Sequence, residues 1–314
     1  MSARIACGLL IACAWVFQIA GPVLGQPGPP DDVAHFAYDR NASLNVAQIS
    51  AKVRNDVTVQ DITYTGSNGG TVPAYLIIPK GAGKFAGIIW GHWMMPGAAN
   101  ANRSEFLDEA IALAPAGVVS LLIDAPQIRP GFKAAAGGFF GPQGPLLVAQ
   151  QVIDLRRGLD LLLSRPYVDA NRIAYVGHSF DAQVGPILDA VDKRFAAFVF
   201  MSGPQSTIEY AISSDSPLMG PVRQKMGVTK LEQNLKAAAW ADPESYAHKL
   251  GPAPALFQYG LHDEDWVPLS DAKNYAAEAS GPKTVEFYDA GHALNAKAQA
   301  DRYSFLKKML NLDR

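Results

Sequence analysis

Residues 173–182 read Ile-Ala-Tyr-Val-Gly-His-Ser-Phe-Asp-Ala, an apolar β-type run that meets a helix-forming run across Gly177-His178-Ser179 alone. No other stretch of the chain restricts the fold as much. A strand that turns into a helix this sharply holds the Ser179 side chain clear of the sheet, at the carboxyl edge where the helix N-terminus supplies positive potential. Gly177 permits the tight approach. Gly-x-Ser alone arises by chance, but a buried strand before it and a helix after it are the context that gives it meaning.

The same alternation extends to both sides. Short β-branched or apolar runs predict strands at 57–64, 74–78, 86–90, 118–123, 173–176, 197–201, 255–259 and 284–288. Ile88-Ile89-Trp90 and Phe198-Val199-Phe200-Met201 are continuously apolar, as strands buried on both faces are. Val148, Val152, Leu155, Leu159 and Leu162 recur at spacings of four, three, four and three, which is one face of a helix. Two opening strands followed by repeated strand, helix, strand predict an α/β fold: a mostly parallel eight-stranded sheet with helices on both faces. The stretch 203–252 is longer than one crossover needs. It reads as a small insertion ahead of strand 255–259, carrying one or two helices, for example over 230–240.

Residues 1–25 carry one charge, Arg4, then an apolar run over 5–20, Gly21-Pro22 and the small-residue end Val23-Leu24-Gly25. This is the layout of a secretory signal peptide cleaved near Gly25/Gln26. An uncleaved anchor is the alternative, since the run falls little short of the roughly 20 residues that span a bilayer. Leu10-Ile11-Ala12-Cys13 has the look of a lipobox, but the apolar Ala14-Trp15-Val16-Phe17 after it is unlike a lipoprotein's polar tether. Both cysteines, Cys7 and Cys13, fall in this segment, so a mature exported chain has no disulfide, cysteine nucleophile or thiolate metal site. The expected organisation is a signal peptide at 1–25, a spacer and lead-in at 26–56 and a folded domain at 57–314, with no stable membrane span after signal removal. Lys and Arg number 27 against 29 Asp and Glu, a formal charge of −2. That balance offers no electrostatic footprint for nucleic acid or an anionic membrane, and a hydrophobic content of 49% excludes a disordered chain.

A serine hydroxyl is a poor nucleophile until a base removes its proton, and the base must be held by an acid. Of the six histidines, His292 fits best. It follows strand 284–288 on the loop Asp289-Ala290-Gly291, just before the last helix. The acid candidate lies in Tyr259-Gly260-Leu261-His262-Asp263-Glu264-Asp265-Trp266-Val267-Pro268, a loop that leaves another strand at the same sheet edge. The chain order is then Ser179, Asp263, His292.

Val168-Asp169-Ala170-Asn171-Arg172-Ile173 leading into Gly177-His178-Ser179, Gly260-x-x-Asp263 with Val267-Pro268, and Gly291-His292 together resemble the α/β-hydrolase superfamily. Within it, the chain is similar to the dienelactone-hydrolase-like and prolyl-oligopeptidase-type branch, over about 57–310. The resemblance implies an α/β-hydrolase fold with Ser179 as nucleophile, His292 as general base and Asp263, three residues after Gly260, as the acid that orients it. Asp265 is the alternative acid, in a loop acidic throughout. Two backbone N–H groups are implied for the oxyanion. One is that of Phe180; the other comes from Trp93 or Met94, in Gly91-His92-Trp93-Met94-Met95-Pro96-Gly97, where the family usually has His-Gly.

Asp181 is a second departure, standing where the family has glycine. A first-turn aspartate suits the helix dipole but opposes a developing oxyanion. It therefore slows turnover or reshapes the pocket, or else points to solvent without effect. Trp93, Met94, Met95 and Trp266 are placed to line an apolar acyl pocket or to join the core. The Gly-rich stretch 131–144, with Phe139-Phe140, suits a rim or lid. His178 is expected to pack beside the turn and His92 to brace the oxyanion loop.

The activity implied is that of an exported serine hydrolase, periplasmic or secreted. It cleaves a small-molecule carboxylic ester through an acyl-enzyme, without a cofactor and without a metal ion, since His-Glu-x-x-His spacing is absent. Dienelactone hydrolases proper use a cysteine nucleophile, so their substrate does not carry over. Two further readings stand beside it. One is a peptidase or amidase of the prolyl-oligopeptidase-like type, similar in its acid loop, although the chain has no room for the large N-terminal propeller of those peptidases. The other is a catalytically inactive α/β-hydrolase that binds a ligand.

Overall fold

The structure, a computed structural model, describes residues 32–312 except Pro96, Ala136, Gly137 and Asp215. The expected signal peptide, with Cys7 and Cys13, lies outside the described residues. The strands are β1 (Ala47–Arg54), β2 (Val57–Thr65), β3 (Thr71–Ile78), β4 (Phe85–Gly91), β5 (Val118–Ile123), β6 (Val168–His178), β7 (Ala197–Met201), β8 (Ala255–Gly260) and β9 (Lys283–Tyr288). They form one sheet in the order β1-β2-β3-β5-β4-β6-β7-β8-β9. The pairings from β1 to β5 are antiparallel and all those from β5 to β9 parallel.

The helices are α1 (Leu107–Leu113), α2 (Gly144–Leu163), α3 (Phe180–Val191), α4 (Thr207–Ile212), α5 (Met219–Met226), α6 (Val228–Lys236), α7 (Glu244–Ala247), α8 (Leu269–Glu278) and α9 (Ala296–Met309). Strand alternation sorts the core into two layers. Ile89, Leu121, Tyr175, Phe198 and Phe200 face α2, α3, α7 and α8. Ile88, Trp90, Leu122, Val176 and Val199 face α1 and α9. The stripe read in the sequence, Val148, Val152, Leu155, Leu159 and Leu162, is the buried face of α2. No helix among the described residues is long and apolar enough to cross a membrane.

The sheet has nine strands, not the eight expected. The added strand is β1, which lies in the segment read as lead-in. Phe36, also ahead of residue 57, is fully buried in the core, so the fold begins before the expected boundary. Asn55 and Asp56, at φ +52° and +62°, make the two-residue turn from β1 to β2, a conformation these short polar side chains tolerate. Between β7 and β8 the insertion holds four helices, α4 to α7, where one or two were expected. The single helix predicted over 230–240 is α6 followed by a 3-10 turn at Ala239–Ala241. Tyr210, Ala211, Met219, Leu231 and Leu235 give this insertion a small apolar cluster of its own, with Phe140 packed against it.

Leu159 is fully buried between α2 and the sheet, and truncation leaves a cavity that a packed layer closes only in part. Leu159→Ala is expected to destabilise the protein by about 2–5 kcal/mol, read as a lower urea midpoint at unchanged slope.

Candidate active site

Ser179 occupies the single residue between β6 and α3, at φ +55° and ψ −108°. A non-glycine residue in this region costs about 1–3 kcal/mol, and the surroundings hold it there. The Ser179 N–H donates to the Met201 carbonyl at 2.8 Å, and its carbonyl accepts the Gln183 N–H at 3.1 Å. Gly177 is required for closeness: a Cβ there would lie 2.4 Å from the Asp181 carbonyl oxygen.

The turn aims the hydroxyl at His292. Ser179 Oγ donates to His292 Nε2 at 2.7 Å, and His292 Nδ1–H donates to Asp263 Oδ2 at 2.7 Å. Asp263 is buried, whereas Asp265 is exposed, and the Asp265 carbonyl accepts from the Tyr210 hydroxyl instead. Of the two acids weighed in the sequence, the one facing the imidazole is Asp263. Burial pushes the His292 imidazole below its ordinary range, against the pull of the Asp263 carboxylate, and the neighbouring His178 adds to the lowering. A neutral imidazole with one nitrogen facing an acceptor and the other a hydroxyl is a base ready to take a proton.

The backbone N–H of Phe180 opens α3 beside the hydroxyl. Trp93 does not fit the second oxyanion position, because its N–H is committed to Glu105 Oε2 at 2.7 Å. Met94, next along, lines the cavity at Ser179. His92 braces this loop as expected. Its Nε2 accepts the Ala125 N–H at 2.9 Å and its Nδ1–H donates to the Trp93 carbonyl at 2.6 Å.

The cavity measures about 230 Å³ and reaches Ser179 and His292. Met94, Phe139, Phe140, Phe180, Trp266 and Val267 form its apolar wall. Gln127, Gln183, Thr207 and Tyr210 add polar atoms, and among the described residues no Lys, Arg, Asp or Glu lines it. Met95, named with Met94 and Trp266 for this pocket, is half-buried on the loop and not part of the wall. Phe139 and Phe140 bring the Gly-rich stretch, read as a rim or lid, to the wall of the cavity. Thr207 and Tyr210, from the insertion, carried no sequence signal, nor did Gln127. Among the described residues no three His, Cys, Asp or Glu side chains converge to hold a metal ion.

A model of the prolyl oligopeptidase family matches residues 147–313, the span that holds Ser179, Asp263 and His292. Solved structures of like fold include the acetyl xylan esterase from Paenibacillus sp. R4, with a TM-score of 0.71 at 19% identity over 88% of this chain and 92% of that one. Acetyl xylan esterase 1 from Thermoanaerobacterium sp. JW/SL YS485 scores 0.73 at 15% identity over 90% and 95%. The glucuronoyl esterase from Solibacter usitatus scores 0.63 at 16% identity over 89% and 91%. No curated protein matches the sequence. The architecture shared with these structures is the α/β-hydrolase fold.

Asp181 does not point to solvent. It is fully buried, with Oδ1 accepting from Gln151 Nε2 at 2.8 Å and from the Tyr175 hydroxyl at 3.3 Å. Its carboxyl fills the space over Gly91, where a Cβ would come within 2.4 Å of the Asp181 Cγ. Burial pushes the carboxyl up to about 7, against the lowering by hydrogen bonds from Gln151, Tyr175 and the His92 backbone. The folded state therefore keeps the proton while the unfolded chain releases it near 3.8. Stability from this group is full below pH 4 and falls towards pH 7, by at most about 1.4 kcal/mol per pH unit. Asp181→Asn is expected to flatten that slope in urea titrations between pH 4 and 7 and to raise turnover above pH 7, where the wild-type carboxylate ionises. Coincident stability and activity profiles for the two proteins would rule this out.

Proposed function

The chain belongs to the prolyl oligopeptidase family, and on that premise we propose that it cleaves uncharged carboxylic esters, with Ser179 as nucleophile, His292 as general base and Asp263 as the acid that orients it. The observation that carries this reading is the pair of 2.7 Å hydrogen bonds from Ser179 to His292 and from His292 to Asp263, at the wall of an apolar cavity.

His292 takes the proton from Ser179 as Oγ attacks the carbonyl carbon, and the N–H groups of Phe180 and Met94 receive the oxyanion. The imidazolium, held by Asp263, returns the proton to the leaving alcohol. Water then enters, gives a proton to His292 and attacks the acyl carbon; as the intermediate collapses, the imidazolium returns that proton to Ser179 Oγ and the acid is released. A wall on which no described residue is charged suits a neutral acyl or alcohol group, and the esterases of like fold support ester over amide. The family itself favours a second reading, a peptidase, since prolyl oligopeptidases cleave peptide bonds. The signal-like layout of residues 1–25 supports export, with a mature chain starting near Gln26; N-terminal sequencing of the protein recovered outside the cytoplasm tests this.

A fluorophosphonate is expected to add once to the wild type and not to Ser179→Ala, by intact mass. Asp263→Asn is expected to lower kcat by about 10⁴-fold, and Asp265→Asn to stay within about twofold of wild type, as exposed surface substitutions do. Because burial holds His292 neutral, the acid limb of kcat/KM is expected below the pH 6.5 of an ordinary imidazole. Hydrolysis of short-chain aryl esters with inert aminoacyl anilides supports the esterase; the reverse pattern replaces it with the peptidase. No adduct on folded protein moves the chain to the ligand-binding class.

A further inference from the structure

Behind the proposed catalytic residues lies a second carboxylate and imidazole. His178, the last residue of β6, is buried, and Glu105, just ahead of α1, is nearly so, their side chains 1% and 9% exposed. His178 Nδ1 meets Glu105 Oε1 at 2.5 Å, and His178 Nε2 meets the His292 carbonyl at 2.9 Å. The other Glu105 oxygen accepts the Trp93 N–H at 2.7 Å. One carboxylate thus ties the oxyanion loop, and through His178 the loop of the general base, to a single point. Ser202 Oγ donates to the same His292 carbonyl at 3.0 Å.

The partners of His178 decide its protons. Its two ring nitrogens face a carboxylate oxygen and a backbone carbonyl, and neither can donate when the carboxylate is ionised. Both nitrogens must then carry hydrogen. His92 and His292 each face one acceptor and one donor, and are satisfied as neutral rings. The His178 ring also lies against the His292 ring, with centroids 5.3 Å apart and planes at 28°, and Trp93 stacks on His178 at 5.1 Å.

We propose that Glu105 and His178 are positioning residues of this hydrolase: a carboxylate–imidazolium pair that fixes the base loop against the oxyanion loop and sets a positive charge beside the His292 ring. The proposal rests on the Ser179, His292 and Asp263 assignment above. The groups whose charge bears on His292 are Asp263 after β8, His178 at the end of β6 and Glu105 ahead of α1. Asp263 and Glu105 favour its protonation and His178 opposes it.

Three variants and one spectrum test the pair. Glu105→Ala frees the Trp93 N–H and the His178 ring, and kcat for an aryl ester is expected to fall about 10- to 100-fold with KM changed less, as small misplacements of reacting groups do. Glu105→Gln keeps an acceptor for Trp93 and is expected to recover most of that loss. His178→Gln keeps a donor towards the His292 carbonyl but removes the positive charge. Its acid limb of kcat/KM is expected to move up by about one pH unit, a shift that a merely structural pair would not produce. In wild-type enzyme with ¹⁵N-labelled histidine, both His178 ring nitrogens are expected to carry hydrogen at pH 7. A bare nitrogen on His178, or folded variants with wild-type kcat and an unmoved acid limb, would overturn the proposal. The spectrum needs no turnover, so it decides the pair for or against even where no ester is hydrolysed. An inert wild type counts against the esterase reading alone.

Discussion

The register of β6 against its two neighbours is the constraint on which the site depends. Gly91 of β4 stands opposite Gly177, and His178 opposite Met201 of β7. The Ser179 N–H extends that ladder by donating to the Met201 carbonyl. Side chains alternate along a strand, so a slip of one residue would exchange every facing pair. The serine would leave the edge and the histidine before it would lose its partners. On the far side, the acid and base loops are joined by their own backbones: the His262 N–H donates to the Ala290 carbonyl at 3.0 Å, and the Leu261 N–H to the Tyr288 carbonyl at 2.8 Å. Two backbone ladders therefore bring the three side chains together, and the side chains complete a geometry that is already set.

Electrostatics then divide similar residues into different tasks. Three buried histidines sit near one another, and what faces each ring distinguishes them. His92 bridges two backbone groups and acts as a strut, His292 stands between acid and alcohol, and His178 lies between two acceptors. The carboxylates divide in the same way. Asp263 is hydrogen-bonded to an imidazole, Glu105 to an imidazole and a backbone amide, and Asp181 to a side-chain amide and a phenol, with burial pushing its carboxyl up to about 7. Partners set the role that residue type leaves open.

Ser179, Asp263 and His292 were legible because each follows a strand within a few residues, and local patterns mark strand ends. The two-layer core was legible for the same reason, through the apolar runs and the stripe on α2. Glu105 was not. Its contact with His178 joins residues 73 apart, and nothing in Asn102-Arg103-Ser104-Glu105-Phe106 marks it. Between Trp93 and Met94 the sequence had no means of choosing, because the choice depends on where Glu105 lies. The burial of Asp181 was hidden likewise: its seat is made by Gly91 on β4 and Gln151 on α2. Strand β1 is different. Ile49, Ala51 and Val53 alternate with Ser50 and Lys52, yet every residue of β1 is exposed, so its alternation marks no buried face.

Thr207, Tyr210 and Phe140 line the cavity from segments whose packing centres on the insertion's own apolar cluster. The sheet and the residues at its edge pack elsewhere. Selection can therefore act on the two parts at different rates. Substitutions in α4 to α6 can redraw what the cavity admits while the frame that holds Ser179, Asp263 and His292 stays as it is.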